Sequence, residues 1–130
     1  MKIIKPYFKF EDERGSIKGI INKGNWEEIN YIFSKKNFKR AEHFHKKTDE
    51  LFIIIDGLIR ITYFPIDDPK KIKEKTVKSG DVFMLKRGIY HEFEILKDSY
   101  WFNVLSKKMN PKNPDIHSFN ESKIWIQEST

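Results

Sequence analysis

Hydrophobic and polar residues alternate over most of the chain in short runs that turn residues separate. Such a period of two is typical of half-buried β-strands, and no long helical periodicity competes with it. The turn residues between the runs, such as Asp56-Gly57 and Ser79-Gly80, predict ten strands in an antiparallel sandwich or barrel. The predicted strands are Lys2–Phe10, Ser16–Ile21, Trp26–Ser34, Arg40–His45, Glu50–Asp56, Leu58–Pro65, Lys73–Val77, Asp81–Leu85, His91–Leu96 and Tyr100–Ser106.

The strand that begins at His91 shows which of its side chains face the interior. His91, Phe93 and Ile95 share one face, whereas Glu92 and Glu94 share the other. Because the apolar face must point inward, we predict that the His91 imidazole points inward with it.

The strand that begins at Glu50 is apolar on both faces. Phe52 and Ile54 share a face with Glu50, and the intervening residues on the opposite face are also apolar. A strand of this kind is covered on both sides. One cover is the barrel interior, and we expect the second to be another sheet or the partner subunit of a homodimer. Three aromatic residues that we predict to be exposed also favour a dimer, namely Trp26, Trp101 and Trp125.

Three histidines and one carboxylate form a candidate metal site. His43 and His45 are two residues apart, so a strand would place both on one face. Glu50 opens the next predicted strand, which we expect to run back beside the first, and His91 can add a ligand from a distant strand. Imidazole and carboxylate ligands suit a divalent first-row metal such as Fe, Mn, Zn or Ni, and they do not select among these ions. The alternative is that each histidine is simply hydrogen-bonded in the core; the fourth histidine, His117, fits no such pattern.

Length and composition narrow the class of protein. A chain of 130 residues without cysteine predicts one domain over residues 1–130, with an irregular tail over residues 109–130, and excludes disulfides and thiolate metal sites. No apolar run could span a membrane, and we expect a cytoplasmic protein. The net charge is +6, but the lysines are scattered among acidic residues. This distribution does not favour nucleic-acid binding, although it can attract an anionic small molecule.

Two segments resemble the paired motifs of the cupins. Residues 42–50, followed by Gly57, are similar to the first cupin motif, and residues 80–91 are similar to the second. The resemblance implies an all-β fold, the cupin-type double-stranded β-helix or jelly-roll barrel. It also implies that the metal ligands are His43, His45, Glu50 and His91.

A narrower resemblance, to the cupin 3,4-ketoisomerases and 3,5-epimerases of nucleotide-linked deoxysugars, covers residues 12–15, 40–46 and 90–93. It implies a proton-transferring histidine at His43, a phosphate- or substrate-binding arginine at Arg40 and a site tyrosine at Tyr31. On a regular strand, however, Arg40 would face away from His43. Ala41 replaces a usual glycine, and Glu50 stands where ketoisomerases commonly have an amide.

These observations lead to three functional hypotheses. The first is a metal-binding isomerase or epimerase that acts on a nucleotide-linked keto-sugar in polysaccharide biosynthesis. The second is an Fe(II)-dependent dioxygenase of a small organic substrate, because the same ligand types serve oxygen-activating iron. The third is a non-catalytic module that binds or senses a small ligand, since fold alone does not decide function.

Overall fold

The computed structural model describes residues 1–119, which form an all-β barrel with one separate hairpin. This confirms the predicted fold class. The strands are β1 (Lys2–Ile3), β2 (Phe8–Asp12), β3 (Gly15–Gly19), β4 (Glu28–Ser34), β5 (Lys39–His43), β6 (Glu50–Pro65), β7 (Lys73–Lys78), β8 (Val82–Leu85) and β9 (Ile89–Leu105).

Two long strands organise the barrel. β6 has 16 residues and β9 has 17, and they pair antiparallel from Glu50 opposite Leu105 to Pro65 opposite Ile89. The strand order is β1-β8-β6-β9-β4, with β7 also paired to β6 and β5 also paired to β9. Each long strand therefore joins the two ends of the barrel, and its two halves have different outer neighbours.

The predicted turn at Asp56-Gly57 is wrong, because β6 continues through it. Pairing with β9 shifts register around these residues, and Gly57 has a φ of 129°. A Cβ on Gly57 would lie 2.0 Å from Ser99 Oγ, so glycine is required where the two strands approach each other. Conversely, the single strand predicted over Lys2–Phe10 is two strands, β1 and β2.

The apolar core fills one end of the barrel and leaves the other end to polar groups. Aliphatic residues such as Ile59, Ile61 and Ile95 are almost fully buried there. An aromatic layer, Phe52, Phe83, Phe93 and Trp101, lies between this core and the histidines. Trp101 is only 2% exposed, so its prediction as a surface residue is wrong. Trp125 lies outside the described residues.

The segments outside the barrel are short. β2 and β3 form a hairpin of their own, and the side chain and backbone of Arg14 donate to the Asp12 carboxylate in its turn. From Met109 to the last described residue, Phe119, the chain forms turns and an isolated bridge between Phe44 and His117. No helix in residues 1–119 is long and apolar enough to cross a membrane.

Candidate functional site

A bulge in β5 determines what this strand presents to the barrel interior. Its pairing with β9 shifts between Ala41 and His43, and Ala41 and Glu42 have φ values of 70° and 59°. An extra residue of this kind turns the following side chains to the other face. As a result, Arg40 and His43 line the same cavity, although a regular strand would place them on opposite faces.

The histidine and glutamate strands are not neighbours, so the prediction that Glu50 runs back beside His43 is wrong. β5 pairs with β9, where His43 lies directly opposite His91. The link after His45 instead crosses the mouth of the barrel to β6. Asp49 holds this link in place. Its carboxylate accepts a hydrogen bond from the Arg87 backbone N–H, and its own backbone N–H donates to the Ser106 hydroxyl.

The structure nevertheless brings the four predicted ligands together. One potential ligand atom from each of His43, His45, Glu50 and His91 lies within 4.8 Å of the others. Since metal–ligand bonds of this kind are about 2.0–2.2 Å, ligands on opposite sides of an ion are about 4.3 Å apart, so the cluster is close to the size that holds one ion. Glu50 and His91 are 3% and 2% exposed, whereas His43 is the most accessible of the four.

Backbone carbonyls select the imidazole tautomers. Nδ1 of His45 lies 2.5 Å from the Asp115 carbonyl oxygen, and Nδ1 of His91 lies 3.0 Å from that of Ile89. Each Nδ1 therefore carries the proton, and each Nε2 directs a lone pair inward. Both Nε2 atoms and Glu50 Oε1 are buried, and their polar neighbours in the described chain are one another: Glu50 Oε1 contacts His45 Nε2 and lies 3.5 Å from His91 Nε2. Three converging lone pairs with external support on the rings are the arrangement that a metal cation requires.

The charges in the cluster favour a cation as well. Burial and the neighbouring histidines His91 and His45 lower the pKa of His43 to about 4, so this ring is neutral near pH 7. Burial opposes ionisation of Glu50, but hydrogen bonding and charge from His45 and His91 outweigh it and hold the Glu50 pKa well below its usual range. His45 is also buried, yet contact with the Glu50 carboxylate raises its pKa. The cluster thus holds a buried carboxylate and a neutral His43 ring, and His45 coordinates a metal only in its neutral form.

Asp115 supports this site from the tail. Its carboxylate accepts hydrogen bonds from the backbone N–H groups of Lys46 and Lys47 and from the Thr48 hydroxyl, at 2.8–2.9 Å. Its own carbonyl contacts His45. Asp115 therefore ties the tail to the segment that carries the second histidine, a role that its place in a Pro-rich tail did not reveal.

The four candidate ligands line a cavity of about 490 Å³, a volume typical of small-molecule sites (about 300–1,000 Å³). Asn30 and Asn103 place amides on its wall, and the buried Trp101 indole has an N–H without a partner among the described residues. We did not predict these three residues as site residues. Polar residues at inward positions of strands that are otherwise apolar are the signal that identifies the two asparagines.

Arg40 and Tyr31 occupy different positions relative to this cavity. Arg40 lies at its rim, where its guanidinium donates to Ser34 Oγ at 2.8 Å and to the Phe33 carbonyl at 3.0 Å. Tyr31 borders the cavity, but it is 61% exposed and its ring packs on Phe102 at a centroid distance of 5.2 Å. Catalytic roles for Arg40, Tyr31 and His43 stay predictions.

Solved structures share this barrel. Over 93% of this chain and 95% of theirs, the chain matches the WlaRB TDP-quinovose 3,4-ketoisomerase from Campylobacter jejuni, with a TM-score of 0.79 and 19% identity. A 3,4-ketoisomerase from Helicobacter canadensis matches over 97% and 96% of the two chains, with a TM-score of 0.77 and 20% identity. The 3,5-epimerase RmlC from Legionella pneumophila, in complex with dTDP-4-keto-L-rhamnose, matches over 85% and 69%, with a TM-score of 0.70 and 17% identity.

The chain has the cupin fold. The resemblance of residues 42–57 and 80–91 to the cupin motifs is thereby confirmed at the level of fold. In sequence, the chain is 24% identical over 74 residues to the putative germin-like protein 8-1 of Oryza sativa subsp. japonica, a match that covers 57% of the chain and 33% of the relative. It spans a similar 33% of the capsular polysaccharide assembling protein CapF from Staphylococcus aureus, at 23% identity and a TM-score of 0.66 over 85% of this chain. No protein-family model matches the chain.

Proposed function

We propose that this protein is a metal-binding cupin that isomerises or epimerises a nucleotide-linked keto-sugar. The cavity is the observation that carries the proposal. It combines the four potential metal ligands with the Asn30 and Asn103 amides and the Trp101 indole N–H. Shared fold with ketoisomerases and with an epimerase of nucleotide sugars supports the same class of substrate.

Each part of the cavity suits one part of such a substrate. The Trp101 N–H can donate to a sugar oxygen, and Phe52 and Phe93 offer apolar surface to a sugar ring. Arg40 at the rim can pair with a diphosphate, because a guanidinium matches phosphate oxygens in geometry and charge. The net charge of +6 favours the approach of the same anion.

His43, His45, Glu50 and His91 would hold the metal, and its identity is left open by the ligand types. When bound, a divalent metal polarises a substrate carbonyl as a Lewis acid. Backbone carbonyls on the His45 and His91 rings fix the orientation in which these two ligands would meet the ion.

The reaction moves hydrogen between neighbouring carbons and needs no oxidant. In a 3,4-isomerisation, a base removes the proton from C3 beside the C4 carbonyl, a proton returns to C4, and the O3 hydroxyl proton passes to O4. His43 is the most accessible imidazole of the cluster and is neutral near pH 7, so it can accept a proton. One lone pair cannot both coordinate a metal and accept a proton, and therefore His43 takes one of these two roles with a given nitrogen.

Hydrogen exchange tests the proposal directly. The protein is incubated with a 4-keto-6-deoxy sugar nucleotide in deuterated water, and mass spectrometry follows label beside the carbonyl. We expect label with the wild type and none with a folded His43→Ala variant. Absence of both label and product with the metal-loaded wild type, over a range of nucleotide keto-sugars, would contradict the proposal.

The ligand set also favours a second candidate, an Fe(II) dioxygenase, because two or more histidines with one carboxylate bind oxygen-activating iron. An oxygen electrode separates the two candidates. An isomerase works without oxygen, whereas a dioxygenase consumes oxygen together with its substrate and requires Fe(II). Ligand binding with neither label entry nor oxygen uptake would instead indicate a binding module.

A further inference from the structure

Only one oxygen of Glu50 faces the histidines. Oε1 contacts His45 Nε2 and lies 3.5 Å from His91 Nε2. The other oxygen, Oε2, accepts a hydrogen bond of 3.1 Å from the side-chain amide of Asn103. The Asn103 amide therefore binds the carboxylate on the side opposite to the candidate metal site.

Asn103 is in turn held by the neighbouring strand. Asn30 lies directly opposite Asn103 in the β4–β9 pair, and its amide nitrogen donates to Asn103 Oδ1 at 3.0 Å. The same nitrogen donates to Glu28 Oε2 at 2.9 Å, and Glu28 Oε1 accepts from the Met109 backbone N–H at 3.0 Å. A continuous chain of hydrogen bonds therefore joins Glu50 to the start of the tail.

The orientation of both amides in this chain of hydrogen bonds is fixed, with the Asn30 nitrogen donating toward Asn103 on one side and toward Glu28 on the other. Carboxylates at both ends can only accept when ionised, so the amide nitrogens must point outward along the chain toward Glu50 and Glu28. With Asn103 Nδ2 directed to Glu50, its Oδ1 must meet a donor, and Asn30 supplies that donor. Rotating either amide by half a turn would place two donors or two acceptors together.

We propose that Asn103 is a positioning residue that orients the Glu50 carboxylate, with Oε1 directed toward His45 and His91, and that Asn30 acts through Asn103. This inference rests on the metal site of the proposed function. Hydrogen bonds to a ligating carboxylate limit its rotation, and removing such a partner typically weakens metal binding about 10–100-fold.

The effect should decrease along the chain of hydrogen bonds. Asn103→Leu removes the donor and leaves Glu50 Oε2 without a partner. Asn103→Asp is nearly the same size, but it replaces the donor with a second negative group against Glu50, so the carboxylates repel each other. Asn30→Leu leaves the Asn103–Glu50 contact in place, and we therefore expect a smaller loss.

Binding of Co²⁺ alone to the metal-free protein tests this inference without any substrate. Calorimetric titration gives the affinity, and the visible absorption of bound Co²⁺ reports its coordination. We expect Asn103→Leu and Asn103→Asp to bind about 10–100-fold more weakly than the wild type, with an altered cobalt spectrum, and Asn30→Leu to fall between them and the wild type. Asn25→Asp, which makes the same charge change in an exposed loop, should leave affinity and spectrum unchanged.

The possible failures are distinguishable. Circular dichroism first establishes that each variant is folded. If the wild type binds Co²⁺ and both Asn103 variants match its affinity and spectrum, the positioning role is wrong while the metal site stands. If the wild type takes up neither Co²⁺ nor any other divalent first-row ion, the metal site fails and this inference fails with it.

Discussion

Near the polar end of the cavity, the two faces of the sheet formed by β4, β9 and the first half of β6 have reversed polarity. Its inner face carries the hydrogen-bonded polar groups of the cavity, although interiors are usually apolar. Its outer face carries large apolar side chains, several of them well exposed. The inner residues are Glu28, Asn30, Asn103 and Glu50, and the outer ones are Ile29, Tyr31, Phe33, Tyr100, Phe102 and Ile55.

The reversal teaches that each face is incomplete in a different way. The inner face has satisfied amides, but it also has the buried cluster atoms His45 Nε2, His91 Nε2 and Glu50 Oε1, and one indole N–H without a partner in the described chain. A bound cation would satisfy the cluster atoms. The outer face lacks only cover, since Ile29 and Tyr31 are 63% and 61% exposed. A continuous apolar patch of this kind is typical of an interface between proteins.

Removing a ligand from the inner face should have the largest effect. We expect the wild type to carry about one divalent metal per chain, and Glu50→Ala to lower metal affinity by more than about 100-fold, since loss of a supporting residue alone costs about 10–100-fold. His43→Ala should also lower occupancy strongly. Elemental analysis after dialysis against a defined metal gives the occupancy.

Glu92→Ala is the matched control, because Glu92 lies on β9 beside His91 and bonds to the Tyr90 hydroxyl instead of the cluster. It should keep the metal. Full occupancy in the double variant His43→Ala/Glu50→Ala would show that the ion binds elsewhere.

Placing a charge on the outer face should break a homodimer. We predict that the wild type is a dimer through this face, with twice the chain mass of 15.7 kDa in light scattering at micromolar concentration. Ile29→Lys would bury a positive charge from each subunit in this interface and should give the monomer mass. Ile72→Lys is the control, since Ile72 is similarly exposed, at 57% against 63%, but precedes β7 outside this face. A wild type that is monomeric would contradict the prediction.

The period-two pattern predicted the sidedness of individual strands well. It placed His91 and Phe93 inward, and both are at most 2% exposed. It also selected the four candidate ligands that the structure brings together, because His, Glu and aromatic residues on inward positions are a local signal. Local alternation depends only on the backbone geometry of one strand, and that is what a sequence displays directly.

The same alternation could not predict which strands pair with each other or where a strand is irregular. β5 pairs with β9, about fifty residues away, for which no local pattern is informative. The bulge that turns Arg40 into the cavity uses Ala41 and Glu42 at positive φ, and neither residue type signals such a conformation. Gly57 did signal an irregularity, but the same residue type serves turns and close strand contacts, so we predicted a turn.

Loosening the tail should weaken the inner face to an intermediate extent. Asp115→Ala removes the acceptor for three groups of the Lys46–Thr48 segment, while the backbone carbonyl at His45 remains. We therefore expect about tenfold weaker metal binding, at the lower end of the range for supporting residues, and a lower melting temperature. Asp98→Ala, which removes a single bond to the Lys36 backbone, serves as the control and should leave metal affinity unchanged. Equal metal affinity in wild type and Asp115→Ala would show that the tail does not support the site.

The smallest effect is expected at the border between the two faces, where Arg40 lies. Its guanidinium is held by Ser34 and Phe33 and is exposed to solvent, so pairing with a diphosphate is screened and contributes about 1 kcal/mol. Arg40→Ala should then weaken binding of deoxythymidine diphosphate about fivefold in a calorimetric titration. Added salt should lower the affinity of the wild type toward that of the variant. Arg60, which pairs with Glu94 at 3.0 Å and does not line the cavity, provides the control Arg60→Ala. Because the guanidinium fork matters as well as the charge, Arg40→Lys should restore only part of the affinity. Equal, salt-independent affinities for wild type and Arg40→Ala would remove Arg40 from the phosphate site, and the ligand would then be held by the inner face alone.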